Sequence, residues 1–190
     1  AMVGEWSLEA VRTATRAGEA TGVPVAVHIS NKPPELKEIL DLLRPGDIIT
    51  HSYTPHDQGI LDEKGSLKPE VREARERGIL FDLGHGAGSF SFQVARSALE
   101  QGFTPDSIST DIYYANTEVV VKNLATTISK FLNLGLPLKE ALAKVTINPA
   151  RAIGEERLGT LEVGNRADIA LFRLDEGSFL FYDSRREVLD

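Results

Sequence analysis

Along the first two-thirds of this chain, stretches with helical spacing alternate with short apolar runs, and nothing else in the sequence restricts the fold as much. Residues 7–21 place Leu8, Val11, Ala14 and the pair Ala17-Gly18 on one helical face, with Ser7 as N-cap and Gly22 as the stop. The apolar run Val23-Pro24-Val25-Ala26-Val27 follows as a strand. Residues 35–43 read as a helix after Pro33-Pro34, with Arg44-Pro45-Gly46 as punctuation and 47–50 as the next strand. The unit returns as helix 69–77, stop Gly78 and strand 79–83, and again as helix 92–101, stop Gly102 and strand 107–109. Strands this short, and apolar on both faces, are those of a buried parallel sheet. Helices alternating with them predict an α/β fold.

The rhythm then changes. Residues 119–133 and 137–146 read as two further helices, and 148–154 as a short one with Pro149 near its start. From Leu158 the chain is turn-rich and strand-like, which predicts a small β appendage. The expected division is therefore 1–157 for the α/β body and 158–190 for the β segment. The charged run Glu73, Arg75, Glu76, Arg77 reads as the wet face of its helix.

Composition removes several function classes. A net charge of −7, with no block of lysine and arginine, does not suit a nucleic-acid binder, which needs cations to displace the phosphate counterions. The absence of cysteine excludes disulfides and thiolate metal sites and fits a reducing cytoplasm. No basic-then-apolar leader is visible, and the longest apolar runs are strand-sized, so no membrane partner is expected. Ala1-Met2 reads as a cloning remnant ahead of a native or truncated start.

The chemistry stands at the strand ends. The first strand ends in His28, the second in His51, the third runs into Gly84-His85-Gly86, and the fourth ends in Asp111. Three of the four histidines and one carboxylate thus fall at successive strand ends, and parallel strands gather such residues on one rim. Imidazole and carboxylate suit a borderline divalent metal such as zinc, which lowers the pKa of its bound water to roughly 7. An aspartate beside it can move the proton. Taken singly, each histidine reads as a hydrogen-bonded structural residue; the coincidence across strands favours a metal or catalytic rim. His56, in the loop 53–57, reads either as a solvated residue or as a substrate contact. Gly84-His85-Gly86-Ala87-Gly88 has the glycines of a phosphate loop without its Lys-Ser/Thr, which speaks against nucleotide binding.

At these residues the sequence resembles the amidohydrolase superfamily. Val27-His28-Ile29 and Leu43-Arg44-Pro45-Gly46-Asp47-Ile48-Ile49-Thr50-His51 resemble its fifth and sixth strands. Phe81-Asp82-Leu83-Gly84-His85-Gly86 and Ile108-Ser109-Thr110-Asp111 resemble its seventh and eighth. Thr146-Ile147-Asn148-Pro149-Ala150 and the stretch 158–170 resemble the exit from the barrel into the small β-domain. The dihydroorotase-like amidohydrolase/deacetylase branch is the most similar. The resemblance implies a partial TIM-type (β/α) barrel, strands five to eight, and a metal-dependent hydrolase of amide or ester bonds in a small molecule. It implies His28 and His51 as ligands of one metal, zinc or else manganese. Asp111 would be ligand of a second metal and general acid/base. His85 has no role common to the superfamily and reads as a substrate contact in its glycine-rich turn, while Tyr113 and Asn116, which follow Asp111, read as lining the pocket.

One departure is large. The family's His-x-His pair and its bridging carboxylated lysine have no counterpart, since no His-x-His occurs and no lysine precedes Lys32. The expectation is a fragment that begins after the fourth strand and self-associates as a homo-oligomer to cover open sheet edges. Whether such a piece binds metal and turns over, or is an inactive half-barrel with a vestigial metal site, stays open at this point.

Overall fold

The structure, a computed structural model, describes residues 6–118 and 120–189. Its order is α1 (Ser7–Thr21), β1 (Ala26–His28), α2 (Leu36–Leu40), β2 (Ile48–Thr50), α3 (Pro69–Glu76), β3 (Leu80–Phe81) and α4 (Phe92–Glu100). A 3-10 turn at Tyr114–Asn116, α5 (Leu124–Asn133), α6 (Leu138–Ala143), α7 (Ile147–Ala152), β4 (Phe181–Tyr182) and β5 (Val188–Leu189) follow. This is the predicted α/β alternation.

Local chemistry explains most boundaries. Gly22 closes α1 with a left-handed φ of 69°. The cap expected at Ser7 falls one residue earlier, on Trp6, whose backbone is already near-helical and makes no side-chain cap. A reciprocal capping box between Glu35 and Glu38 opens α2. Pro69 opens α3 in the first turn, where its missing N–H costs nothing, and Ser91 caps α4 through Val94 N. The helix expected from 119 begins at Leu124, because Asn123 caps it by accepting from Thr126 N at 2.8 Å; Val119 lies outside the described residues.

The sheet is parallel, in the order β1-β2-β3. Register pairs Ala26 with Ile48, Val27 with Ile49 and His28 with Thr50, then Ile48 with Leu80 and Ile49 with Phe81. Residues 107–110 extend it as a fourth strand position. They pair at Asp82↔Ser107 and accept from Leu83 N, His85 N and Gly86 N at 3.0, 3.1 and 3.0 Å.

Alternation sends Ile49 and Phe81 into the core beneath α2, α3 and α4, where both are fully buried. The opposite row, Ala26, Ile48 and Leu80, is half-buried or exposed. Beside it lies a cavity of about 330 Å³ lined by Ile48, Leu80, Ser107 and Arg151. One face is thus covered by helices and the other is open among the described residues, whereas the composition of the strands predicts burial on both. Arg75, read as a solvated helix residue, instead lies 3.6 Å over the Phe103 ring and 3.0 Å from Asp106.

The C-terminal stretch also departs from expectation. Among the described residues it forms only the antiparallel pair Phe181↔Leu189 and Tyr182↔Val188. Residues 158–180 carry no strand, and Leu161, Val163, Ile169 and Leu171 are exposed. A lone β-prone segment forms no ladder without a neighbour to accept its backbone hydrogen bonds. The hairpin is tied to the body through Asp183, which accepts from Phe92 N at 3.0 Å, and Ser184, which donates from its backbone to Phe90 O.

Candidate active site

The ends of β1 and β2 bring His28 and His51 together, with ring centroids 4.2 Å apart at an interplanar angle of 74°. Across from them stands Asp111, whose Oδ2 lies 4.0 Å from His51 Nε2. Residues far apart in sequence become neighbours because adjacent parallel strands end on one rim. His28 is exposed, His51 is buried, and the Asp111 carboxylate is half-exposed. Partial desolvation of the ring, then the neighbouring His51, lowers the pKa of His28. The shift favours the neutral ring that a metal ligand must be.

Two backbone features mark this rim. His51 has φ 68° and Asp111 φ 45°, left-handed conformations that side chains with a Cβ rarely adopt. Such strain costs about 1–3 kcal/mol per residue and persists where the surroundings over-determine it. The His51 ring is fixed as well: its Nδ1 is 2.5 Å from Gly84 O. A carbonyl can only accept, so Nδ1 carries the proton and the lone pair sits on Nε2, toward Asp111.

Gly84 and Gly86 make this approach possible. A Cβ on Gly84 would sit 2.2 Å from Thr50 Oγ1 and 2.8 Å from His51 Nδ1, and one on Gly86 would sit 2.7 Å from Asp111 Oδ2. Both have positive φ, 51° and 53°, so glycine is required for conformation and for space.

The remaining candidates separate. His85 is fully buried; its Nδ1 donates to Gly86 O at 2.8 Å and its Nε2 is 2.7 Å from Lys130 Nζ. Both ring nitrogens are engaged inside the protein. Asn116 is also buried, and its amide holds the loop: Nδ2 donates to Asp111 O at 2.9 Å while Oδ1 accepts from Tyr113 N at 2.9 Å. Tyr113 is half-exposed beside it. His56 is half-buried, its Nε2 close to Gly88 in the turn after β3.

Sequence reading missed Asp82. It is 8% exposed and accepts from Thr50 Oγ1, Ser107 Oγ and Ser109 Oγ at 2.7, 2.6 and 2.6 Å. An acid inside the apolar run 79–83, with hydroxyls at matching positions of the flanking strands, was the available signal.

The sequence profile of the amidohydrolase family matches residues 5–189. The chain belongs to the amidohydrolase family. It is 35% identical over 187 residues to a deacetylase of Brucella anthropi, covering 98% of this chain and 46% of that protein. Among solved structures it is similar to an adenine deaminase, with a TM-score of 0.89, 38% identity, and coverage of 92% of this chain and 48% of that one. It is equally similar to a dihydroorotase, with a TM-score of 0.89, 36% identity, and coverage of 97% and 50%. The amidohydrolase chain thus spans about half the length of these relatives, 46% of the deacetylase.

Amidohydrolases are generally metal-dependent, and the donors here fit in kind: two imidazoles, one with its lone pair oriented by Gly84 O, and a carboxylate. They are incomplete in number. Among the described residues no three His, Asp or Glu side chains converge closely enough to hold a metal by themselves. No described helix is long and apolar enough to cross a membrane.

Proposed function

We propose that this chain carries one side of the active site of a metal-dependent hydrolase that cleaves an amide-type C–N bond in a small molecule, with deacetylation as the reaction. The observation that carries the reading is the opposition of His51 and Asp111 at 4.0 Å, each in a strained left-handed backbone. Similarity to a deacetylase supports the reaction class. The partial (β/α) barrel, strands five to eight, and a cytoplasmic setting belong to the same proposal.

His51, through Nε2, and His28 would hold the ion, zinc or manganese, with Asp111 opposite. A bound ion supplies Lewis acidity and hydroxide at neutral pH. The chain's own residues do the rest. Gly84 O keeps His51 in the ligating tautomer. Asp111 takes the proton of the attacking water on its carboxylate and passes it to the nitrogen of the leaving amine as the C–N bond breaks. Asn116 fixes the backbone from which Asp111 projects. Tyr113 and His56 would contact the substrate.

A second reading rests on the incomplete donor set. We propose it as the alternative: a self-associating piece, homo-oligomeric through its open sheet face, whose metal site is vestigial. Elemental analysis after dialysis separates the two. The first reading expects stoichiometric zinc or manganese in the wild type, lost in the double variant His28→Ala/His51→Ala, with turnover of acylated amines. A metal-free wild type overturns it and leaves the second.

A further inference from the structure

Lys130 is fully buried in α5, yet no carboxylate lies within ion-pair distance of it among the described residues. Burying an ammonium costs several kcal/mol unless its donors are satisfied. Here all three are. Nζ hydrogen-bonds His85 Nε2 at 2.7 Å, donates to Tyr182 O at 2.7 Å, and donates to Val120 O. The acceptors belong to three separate segments: the turn after β3, the loop after Asp111, and the strand β4. A methionine would fill the same volume without the desolvation cost, so the site's chemistry lies in the three donors.

Two of those segments lead directly to the rim. His85 sits between Gly84, whose carbonyl accepts from His51 Nδ1, and Gly86, which packs against the Asp111 carboxylate. Because Nδ1 of His85 donates to Gly86 O, its Nε2 must accept, and Lys130 is the donor it receives. On the other side, Val120 adjoins Val121, whose N–H donates to Asn116 O, and the Asn116 side chain holds Asp111 O. We propose that Lys130 is a positioning residue: one ammonium fixes the His85 turn and the 116–121 loop together, and through them the orientation of His51 and Asp111.

The metal-binding consequence rests on the function proposed above; the orientation itself does not. Burial, reinforced by Lys122 and opposed by the nearby Asp183 carboxylate, lowers the pKa of Lys130 to about 7, so the three-donor ammonium is the form held below that pH. The third bond, to Tyr182 O, extends the same control to the C-terminal hairpin.

The experiment uses the whole chain, metal-free, with imidazole 15N spectra of wild type, Lys130→Met and Lys130→Gln, each checked for fold by circular dichroism. In the wild type, His51 and His85 are expected as Nδ1–H tautomers. Lys130→Met should shift the His85 pattern and also broaden or mix the tautomers of His51, which Lys130 does not touch. Lys130→Gln keeps an amide donor and should restore His51 in part. A folded Lys130→Met with an unchanged His51 overturns the proposal, and so does loss of fold in both variants, which would make Lys130 a determinant of folding alone. Zinc titration is the second readout, with affinity expected to fall about tenfold in Lys130→Met. If the wild type binds no zinc, the function reading fails while the tautomer result still decides the role of Lys130.

Discussion

The hydroxyl of Thr50 on β2 donates to the carboxylate of Asp82 across the sheet at 2.7 Å. Ser107 and Ser109 reach the same carboxylate from the other side, so one side chain braces three strand positions. Thr50 precedes His51, and Ser109 stands two residues before Asp111, which makes this brace a determinant of the rim's width. Asp82→Ala is expected to destabilise the chain by about 2 kcal/mol, because three donors lose their acceptor on a partly wet face. Asp82→Asn should cost less. Urea denaturation checks both, and an unaltered midpoint for Asp82→Ala would remove the brace from the account.

Asp47 offers a sharper test at the opposite end of β2. It is 1% exposed and accepts from Val25 N, Arg44 N and Arg44 Nη2, each at 2.8 Å, and from Arg44 Nε at 3.0 Å. Asp47→Ala leaves two backbone N–H groups without partners and the Arg44 guanidinium with Val23 O as its remaining acceptor, at an expected cost of about 3 kcal/mol. Calorimetry should show a lower Tm with no change in metal content, since the residue is remote from the rim.

Strain makes the reverse prediction at Asp111. Its φ of 45° suits glycine, and its carboxylate makes no hydrogen bond among the described residues. Asp111→Gly is therefore expected to raise stability by about 1 kcal/mol and, on the proposed function, to remove acyl hydrolysis. Denaturation and an acyl-hydrolysis assay, run together, check it; a destabilised variant would mean that the left-handed backbone is not strained.

Acid should weaken the fold through His85. Burial first, and the Lys130 charge second, lower its pKa from 6.5 to about 3. Below pH 6.5 the unfolded chain takes up a proton that the folded chain refuses until about pH 3, so stability falls as pH drops through that window. Lys130 acts in the same direction higher up. Held at about 7 against 10.5, it makes stability rise between those values, because the unfolded state keeps a proton the folded one has released. His85→Gln should flatten the acidic limb of urea midpoints measured from pH 3.5 to 9, leaving the alkaline limb in place.

The periodicity of the chain made its helices and the order of its strands legible, since Gly22, Gly78 and Pro69 punctuate them by fixed stereochemical rules. His28, His51 and Asp111 were legible for the same reason: strand ends can be counted. What could not be read was the direction of each side chain. His85 looks equivalent to its neighbours in sequence, yet its ring turns inward to Lys130, a partner 45 residues away. For Asn116 the sequence suggests a pocket-lining residue; its clamp on Asp111 O is not legible there, because that role depends on a 3-10 turn set by backbone geometry. The segment 158–180 was read as strands on propensity alone, which does not supply a pairing partner.

The left-handed backbone at His51 and Asp111 has a consequence for any library built on this chain. A screen that rewards only thermal tolerance would enrich glycine at Asp111, whose carboxylate makes no hydrogen bond among the described residues, and would keep the buried, hydrogen-bonded ring of His51. Lineages selected for robustness alone would drift the same way and lose the carboxylate that faces His51.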